Sequence, residues 1–168
     1  DSVSFIVVGN VYESLITFKR LDTPDEFLPF LASQVPTKAN GLLSADGTVY
    51  RFPIRPGVSF HEGQTLTAED VRYSLLRYML QDTAGASSIL LLNPVLGVYG
   101  TRGKDGRVTL DYKEAERAVS VEGDQVVVKL KRPNGHFLRI LASLPIIVSK
   151  SWAVSHGEWD GGEASWKR

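Results

Sequence analysis

Residues 48–79 of this 168-residue chain set two hydrophobic periods side by side, separated only by turns. Thr48, Tyr50, Phe52 and Ile54 fall on one side, and Val49, Arg51, Pro53 and Arg55 on the other. That period of two predicts a strand. Pro53 has no N–H to give to a ladder, so the strand is expected at an edge or bulged there. Pro56-Gly57 ends it, and His61-Glu62-Gly63 marks a second turn. A helix then begins. Thr67 can cap it, with Asp70 standing where a capping box usually has Glu or Gln. Leu66 and Val71 can form a hydrophobic staple, and Ala68, Val71, Leu75 and Tyr78 or Met79 share one helical face. Glu69 and Asp70 sit where the positive end of the macrodipole favours carboxylates. That explains the pair better than an acid–base dyad does. A half-buried strand running into an amphipathic helix has to pack the two against each other.

The rest of the chain mixes the same two elements without strict alternation, which predicts an α+β fold over a doubly wound parallel sheet. Residues 2–8 read equally as strand or helix. Residues 15–18 predict a short strand, 21–26 a polar turn around Thr23-Pro24-Asp25, and 27–32 a short apolar turn of helix. Ala45-Asp46-Gly47 is a tight turn. Residues 81–88 read as a polar loop, 89–96 as an apolar patch interrupted by Pro94, and 97–106 as a glycine-rich irregular segment. Residues 118–121 and 125–131 predict a hairpin around a three-residue loop, Glu122-Gly123-Asp124. Val126, Val128 and Leu130 are its buried face. Pro133-Asn134-Gly135 turns the chain into a short helix over 137–142. The tail, 155–168, shows no periodicity, and no internal repeat or low-complexity tract is present.

Composition removes several classes of function. Nineteen basic residues balance nineteen acidic ones, so there is no electrostatic footprint for nucleic acid and no polybasic signal for an anionic membrane. The longest apolar run, 89–92, is far short of the ~20 residues of a membrane span. Absent cysteine excludes disulfides and thiolate metal sites. His61, His136 and His156 stand far apart beside glycines, and no pair has the spacing of a helical zinc site. No G-x-S-x-G elbow frames a serine. Gly97, Gly100 and Gly103 lack the Lys-Ser/Thr ending and the preceding strand of a phosphate loop. These absences predict no catalytic residues, no metal and no cofactor. Trp152, Trp159 and Trp166 recur every seven residues. Stacking on a sugar or peptide side chain is one reading. Local packing in an irregular loop is favoured over it, because no helix signal joins the three.

Residues 46–75 read D-G-T-V-Y-R-F-P-I-R-P-G-V-S-F-H-E-G-Q-T-L-T-A-E-D-V-R-Y-S-L. This resembles the signature of the family 5 solute-binding proteins, which bind oligopeptides, dipeptides, nickel complexes and related solutes. Ile54, Arg55, Gly57, Val58, Phe60, His61, Gly63 and 66–71 match in order, with Glu62 for the common Asp and an unusual Pro53. Three further segments are similar to the family's: Asn10-Val11-Tyr12-Glu13-Ser14-Leu15, the hairpin at 123–133 followed by Phe137-Leu138, and Ile147-Val148-Ser149-Lys150. The motif residues Asp46, Gly47, Arg55, Gly57, Phe60, His61, Gly63, Thr67 and Asp70 are explained as turn and cap chemistry, without a ligand.

The resemblance implies the small subdomain of the first lobe of a two-lobe periplasmic-binding-protein-like fold. Residues 1–14 would lead into it, 15–154 would form it, and 155–168 would be an irregular tail toward the remainder. The sequence starts at Asp1 without a methionine, so a leader has been removed or the sequence starts inside a longer protein. The resemblance further implies a receptor that captures a peptide-like or related solute for an ABC permease by hinge closure, outside the cytoplasm, with a lipid anchor compatible. It places most ligand contacts on other subdomains, leaving only a cleft edge around Asp1, Ser4 and Asn10. A solute-sensing domain of a transcriptional regulator is the alternative, and a hydrolase has only scattered Ser, His and Asp behind it.

Overall fold

The computed structural model describes residues 11–20, 22–23, 25–81 and 87–167. Its elements follow in chain order as β1 (Ile16–Phe18), β2 (Phe27–Pro29), β3 (Val49–Pro53), α1 (Ala68–Leu80), α2 (Ile89–Leu96), α3 (Tyr112–Ala118), β4 (Val119–Glu122), β5 (Gln125–Lys129), α4 (Phe137–Ala142), α5 (Lys150–Ser155) and α6 (Glu163–Trp166). The fold is α+β: a two-stranded sheet β1-β2, a three-stranded antiparallel sheet β3-β5-β4, and short helices packed on both.

The three-stranded sheet explains where its residues lie. β5 is central, and its Val126, Val127 and Val128 are all buried. Tyr50 pairs with Val128 and Phe52 with Val126, so the β3 residues with even numbers bring their apolar face to the core. Pro53 stands on the outer edge. The amide of Arg51 donates outward to the Leu42 carbonyl, and a residue two places on turns its amide the same way. The donor missing at Pro53 therefore never belonged to the β5 ladder, while its carbonyl accepts from Ser33 at 2.8 Å.

The hairpin is tighter than the sequence suggests. Glu122 pairs with Gln125, leaving a two-residue loop, Gly123-Asp124. Gly123 has φ +64°, and among the described residues none other than glycine has positive φ, the pattern of a type II′ turn. The twist of such a turn matches that of the strands, so no third loop residue is needed. Ala118 closes α3 and β4 starts one residue later.

Three other expectations change. Residues 27–32 are not a helical turn: Phe27–Pro29 pairs with β1, Phe18 opposite Phe27 and Ile16 opposite Pro29. Leu31 and Ala32 then donate to the Ser14 and Leu15 carbonyls. Pairing occupies the amides of Phe30, Leu31 and Ala32, and Pro29 has none to give a helix. Residues 89–96 form a continuous helix through Pro94. The carbonyl deprived by Pro94 belongs to Leu90, which is exposed to water. The tail contains a short helix, α6, and α5 ends where the tail begins.

α1 is the hub. Thr67 caps it with a complete capping box: its side chain accepts from the Asp70 amide, and the Asp70 carboxylate accepts from the Thr67 amide at 3.0 Å. Leu66 and Val71 are both buried, as a staple requires. The buried surface runs beyond the expected stripe to Tyr73, Leu76 and Leu80. Val71, Leu76 and Met79 are sealed completely. At about 1.5–3 kcal/mol for each large apolar side chain, packing rather than propensity holds this helix. The second face is covered by the tail. Tyr73 stacks on Trp159 at 5.6 Å and donates to its carbonyl at 2.7 Å, and Trp166 donates to the Leu80 carbonyl. Tyr112, from α3, packs on both tryptophans.

A candidate functional site where three motif segments meet

The chain on either side of His61-Glu62-Gly63 folds back on itself. Leu66 donates to Val58, Phe60 donates to Gln64, and Ser59 bridges Thr65. The resulting finger carries His61 and Glu62 at its exposed tip, with Gly63 at φ +85°. Ser149 ties the finger down: its hydroxyl donates to Gln64 Oε1 at 3.2 Å. The same hydroxyl caps α5 by accepting from the Trp152 amide, which fixes where the indole stands. On the other side Glu13 bridges Ile147, whose amide donates to the Glu13 carbonyl.

Three segments far apart in sequence thus enclose a concavity of about 230 Å3. Its floor is Leu31, Leu66 and Ile147, all buried. Its walls carry Val11, Tyr12 and Trp152, which are 56%, 38% and 38% exposed. Glu13, His61 and Glu62 stand at the rim. Neither carboxylate forms an ion pair among the described residues, and no Lys or Arg lines the concavity. Trp152 is held from behind by the His156 ring, stacked at 4.2 Å.

Beside it, Asp70 joins the starts of two helices. One carboxylate oxygen serves the Thr67 amide and hydroxyl, and the other accepts from the Lys150 amide at 2.9 Å. Lys150 Nζ pairs with Glu69, which also pairs with Arg72. Arg72 reaches on to Glu116. These charges are engaged with one another.

Of the residues singled out from sequence, Phe60 and His61 line the concavity, and Thr67 and Asp70 form the cap next to it. Asp46 and Gly47 make a separate turn. Asp46 accepts from Ser44 and from Thr48, and those hydrogen bonds hold its carboxyl below the usual range. Arg55 reaches the Pro29 carbonyl at 3.4 Å from an exposed position, and Gly57 turns the chain at φ +76°. Asp1, Ser4 and Asn10 lie outside the described residues. Sequence reasoning named neither Tyr12, Ile147 nor Ser149 as a site residue, and for Trp152 it favoured packing over stacking on a ligand. The signal was present, because Tyr12, Ile147 and Ser149 sit inside segments already singled out by resemblance. Their convergence needed the fold. The tryptophan spacing divides: Trp159 and Trp166 are packing residues, and Trp152 faces the concavity. Among the described residues no group of three His, Asp or Glu is placed to hold a metal ion.

The sequence model for "Bacterial extracellular solute-binding proteins, family 5 Middle" matches residues 26–167. The chain belongs to this family. Solved structures agree in fold. The substrate-binding domain of an oligopeptide ABC transporter from Bacillus anthracis superposes with a TM-score of 0.68 at 20% identity, over 94% of this chain and 28% of that one. The periplasmic binding protein DppA from Helicobacter pylori, in complex with the peptide STSA, gives 0.60 at 24%, over 92% and 28%. NikZ from Campylobacter jejuni, in complex with Ni(L-His), gives 0.56 at 19%, over 92% and 24%. This family 5 chain therefore spans about 28% of the length of the first two of those structures, with the architecture of a fragment of a periplasmic-binding-protein-like fold. No curated protein sequence matches it.

Proposed function

We propose that the chain is the small first-lobe subdomain of a receptor that captures a peptide-like or related small solute and delivers it to an ABC-type permease. The observation that carries this reading is the family match across residues 26–167. Structural likeness to proteins holding a tetrapeptide and a nickel–histidine complex supports a small polar solute. In this reading residues 1–14 lead into the subdomain, 15–154 form it, and 155–168 run toward the remainder, with Trp159 and Trp166 anchoring that exit. The work done is binding and hinge closure, with no bond made or broken. The receptor acts in the periplasm or outside the cell. The subdomain contributes a rigid body to the closing lobe and no catalytic group.

The test is the longer protein that carries this chain. Calorimetry against dipeptides, oligopeptides and nickel chelates should give one-to-one binding, and solute uptake by cells should depend on the gene. Chemical turnover of a panel member, or binding without any dependence of uptake on the gene, would overturn the reading.

A further inference from the structure

The concavity between the finger, α5 and the Val11–Glu13 segment exposes more apolar surface than its surroundings explain. Among the described residues, nine large hydrophobic side chains are exposed, and Val11, Tyr12 and Trp152 converge on this one depression. The floor beneath them is fully apolar, and the two carboxylates at the rim, Glu13 and Glu62, have no cationic partner among the described residues. A volume of about 230 Å3 falls below the roughly 300–1,000 Å3 of small-molecule sites. Such a depression suits one or two protruding side chains better than a solute. Interfaces between domains of one chain have the same make-up, an apolar centre with a polar rim.

We propose that this concavity is the seat of the remainder of the same polypeptide, the part of a family 5 protein that lies outside these 168 residues. The covering surface brings one or two apolar side chains onto Trp152, Tyr12 and Phe60, and at least one Lys or Arg to Glu13 and Glu62. Two facts select this occupant over a second copy or a solute. The similar structures are between three and four times longer than the region they share with this chain, so most of such a protein is available to cover it. A second copy would bring the same unpaired carboxylates to the rim, like charge against like charge. The inference rests on family membership and not on the identity of the solute or the permease, so it stands or falls separately from the receptor reading.

Hydroxyl-radical footprinting with mass spectrometry reads the outcome residue by residue, with each rate normalised to that of the free amino acid. Tyr99, 74% exposed and away from the concavity, is the reference, and buried Trp159 reports that the chain is folded. In the 168-residue chain Trp152 and Tyr12, each 38% exposed, should be oxidised at about half the rate of Tyr99. In the longer polypeptide, without added solute, both should fall at least fivefold while Tyr99 is unchanged. The comparison of Trp152 with Tyr99 inside the longer polypeptide stands even where the short chain fails to fold. Trp152→Glu should lower the unfolding midpoint of the longer polypeptide. Full labelling of Trp152 and Tyr12 in the longer polypeptide overturns the proposal. So does protection that appears only on adding a peptide, or protection in the short chain that grows with its concentration, the sign of a second copy.

Discussion

Replacing Asp70 by alanine should cost more than any other single change to the capping chemistry of α1, and the structure gives the size. Its carboxylate serves three donors: the Thr67 amide at 3.0 Å, the Thr67 hydroxyl at 2.6 Å and the Lys150 amide at 2.9 Å. The two Thr67 contacts belong to an exposed residue, so water takes over part of their role, and loss of the capping box is worth about 1 kcal/mol. The Lys150 amide opens α5, and a hydrogen bond to a charged group is worth about 1.5–3 kcal/mol net. Together the loss is about 3 kcal/mol. With a urea m-value of about 2 kcal/mol/M for a chain of this size, the midpoint followed by circular dichroism should fall by about 1.5 M. Thr67→Ala removes the acceptor for the first-turn amide and one donor to Asp70 but leaves the Lys150 bond in place, and should cost about 1 kcal/mol, near 0.5 M. The double variant should fall short of the sum, because the two residues share their bonds. An Asp70→Ala midpoint no lower than that of Thr67→Ala would refute the claim that this carboxylate ties α5 to α1.

Val128→Asp should be severe, more than about 4 kcal/mol, because it buries a charge between Tyr50 and Val119 on the central strand; a folded variant of near-native urea midpoint would refute the register. Burial pushes the Tyr112 phenol up to about 12, against about 10 in an unfolded chain, so its contribution is whole below about pH 10 and is lost as pH rises toward about 12. Tyr112→Phe should flatten that part of the stability profile, and midpoints between pH 9 and 12 indistinguishable from those of the parent chain would contradict it. The 168-residue chain alone should bind dipeptides, oligopeptides and nickel chelates weakly or not at all by calorimetry, since a single subdomain leaves half of a ligand's polar groups in water; micromolar one-to-one binding would contradict it.

What could be read from sequence was what local chemistry decides. The period of two in β3, the cap at Thr67 and the glycine turns need only neighbours within a few residues, and each stands where the pattern put it. Residues 27–32 were misread because six apolar residues suit a helical turn as well as a strand. The decision came from β1, ten residues away, and from the Ala32 bridge to Ile54. The tail was illegible for a similar reason. Trp159 and Trp166 sit in no strand or helix pattern, since each is placed by an aromatic partner on α1 or α3. The narrow apolar stripe expected for α1 was the same omission seen from the other side. Tyr73 and Leu80 look surplus until the tail is laid over them.

The site follows the same rule at longer range. The resemblance picked out the segments containing Tyr12, His61 and Ile147, and the residues of the long motif around His61 were explained as turn and cap chemistry. Those explanations hold for the backbone, but they leave side chains over. A turn needs Gly63, yet nothing in the turn needs Glu62 to stand unpaired beside exposed Tyr12 and Trp152. Sequence motifs in a fragment of a larger protein therefore carry two kinds of information at once. Gly63, Thr67 and Asp70 are accounted for by contacts inside this chain. Among the described residues Val11, Tyr12 and Glu62 are not, and side chains that a fragment leaves unexplained are where the proposed covering surface would sit.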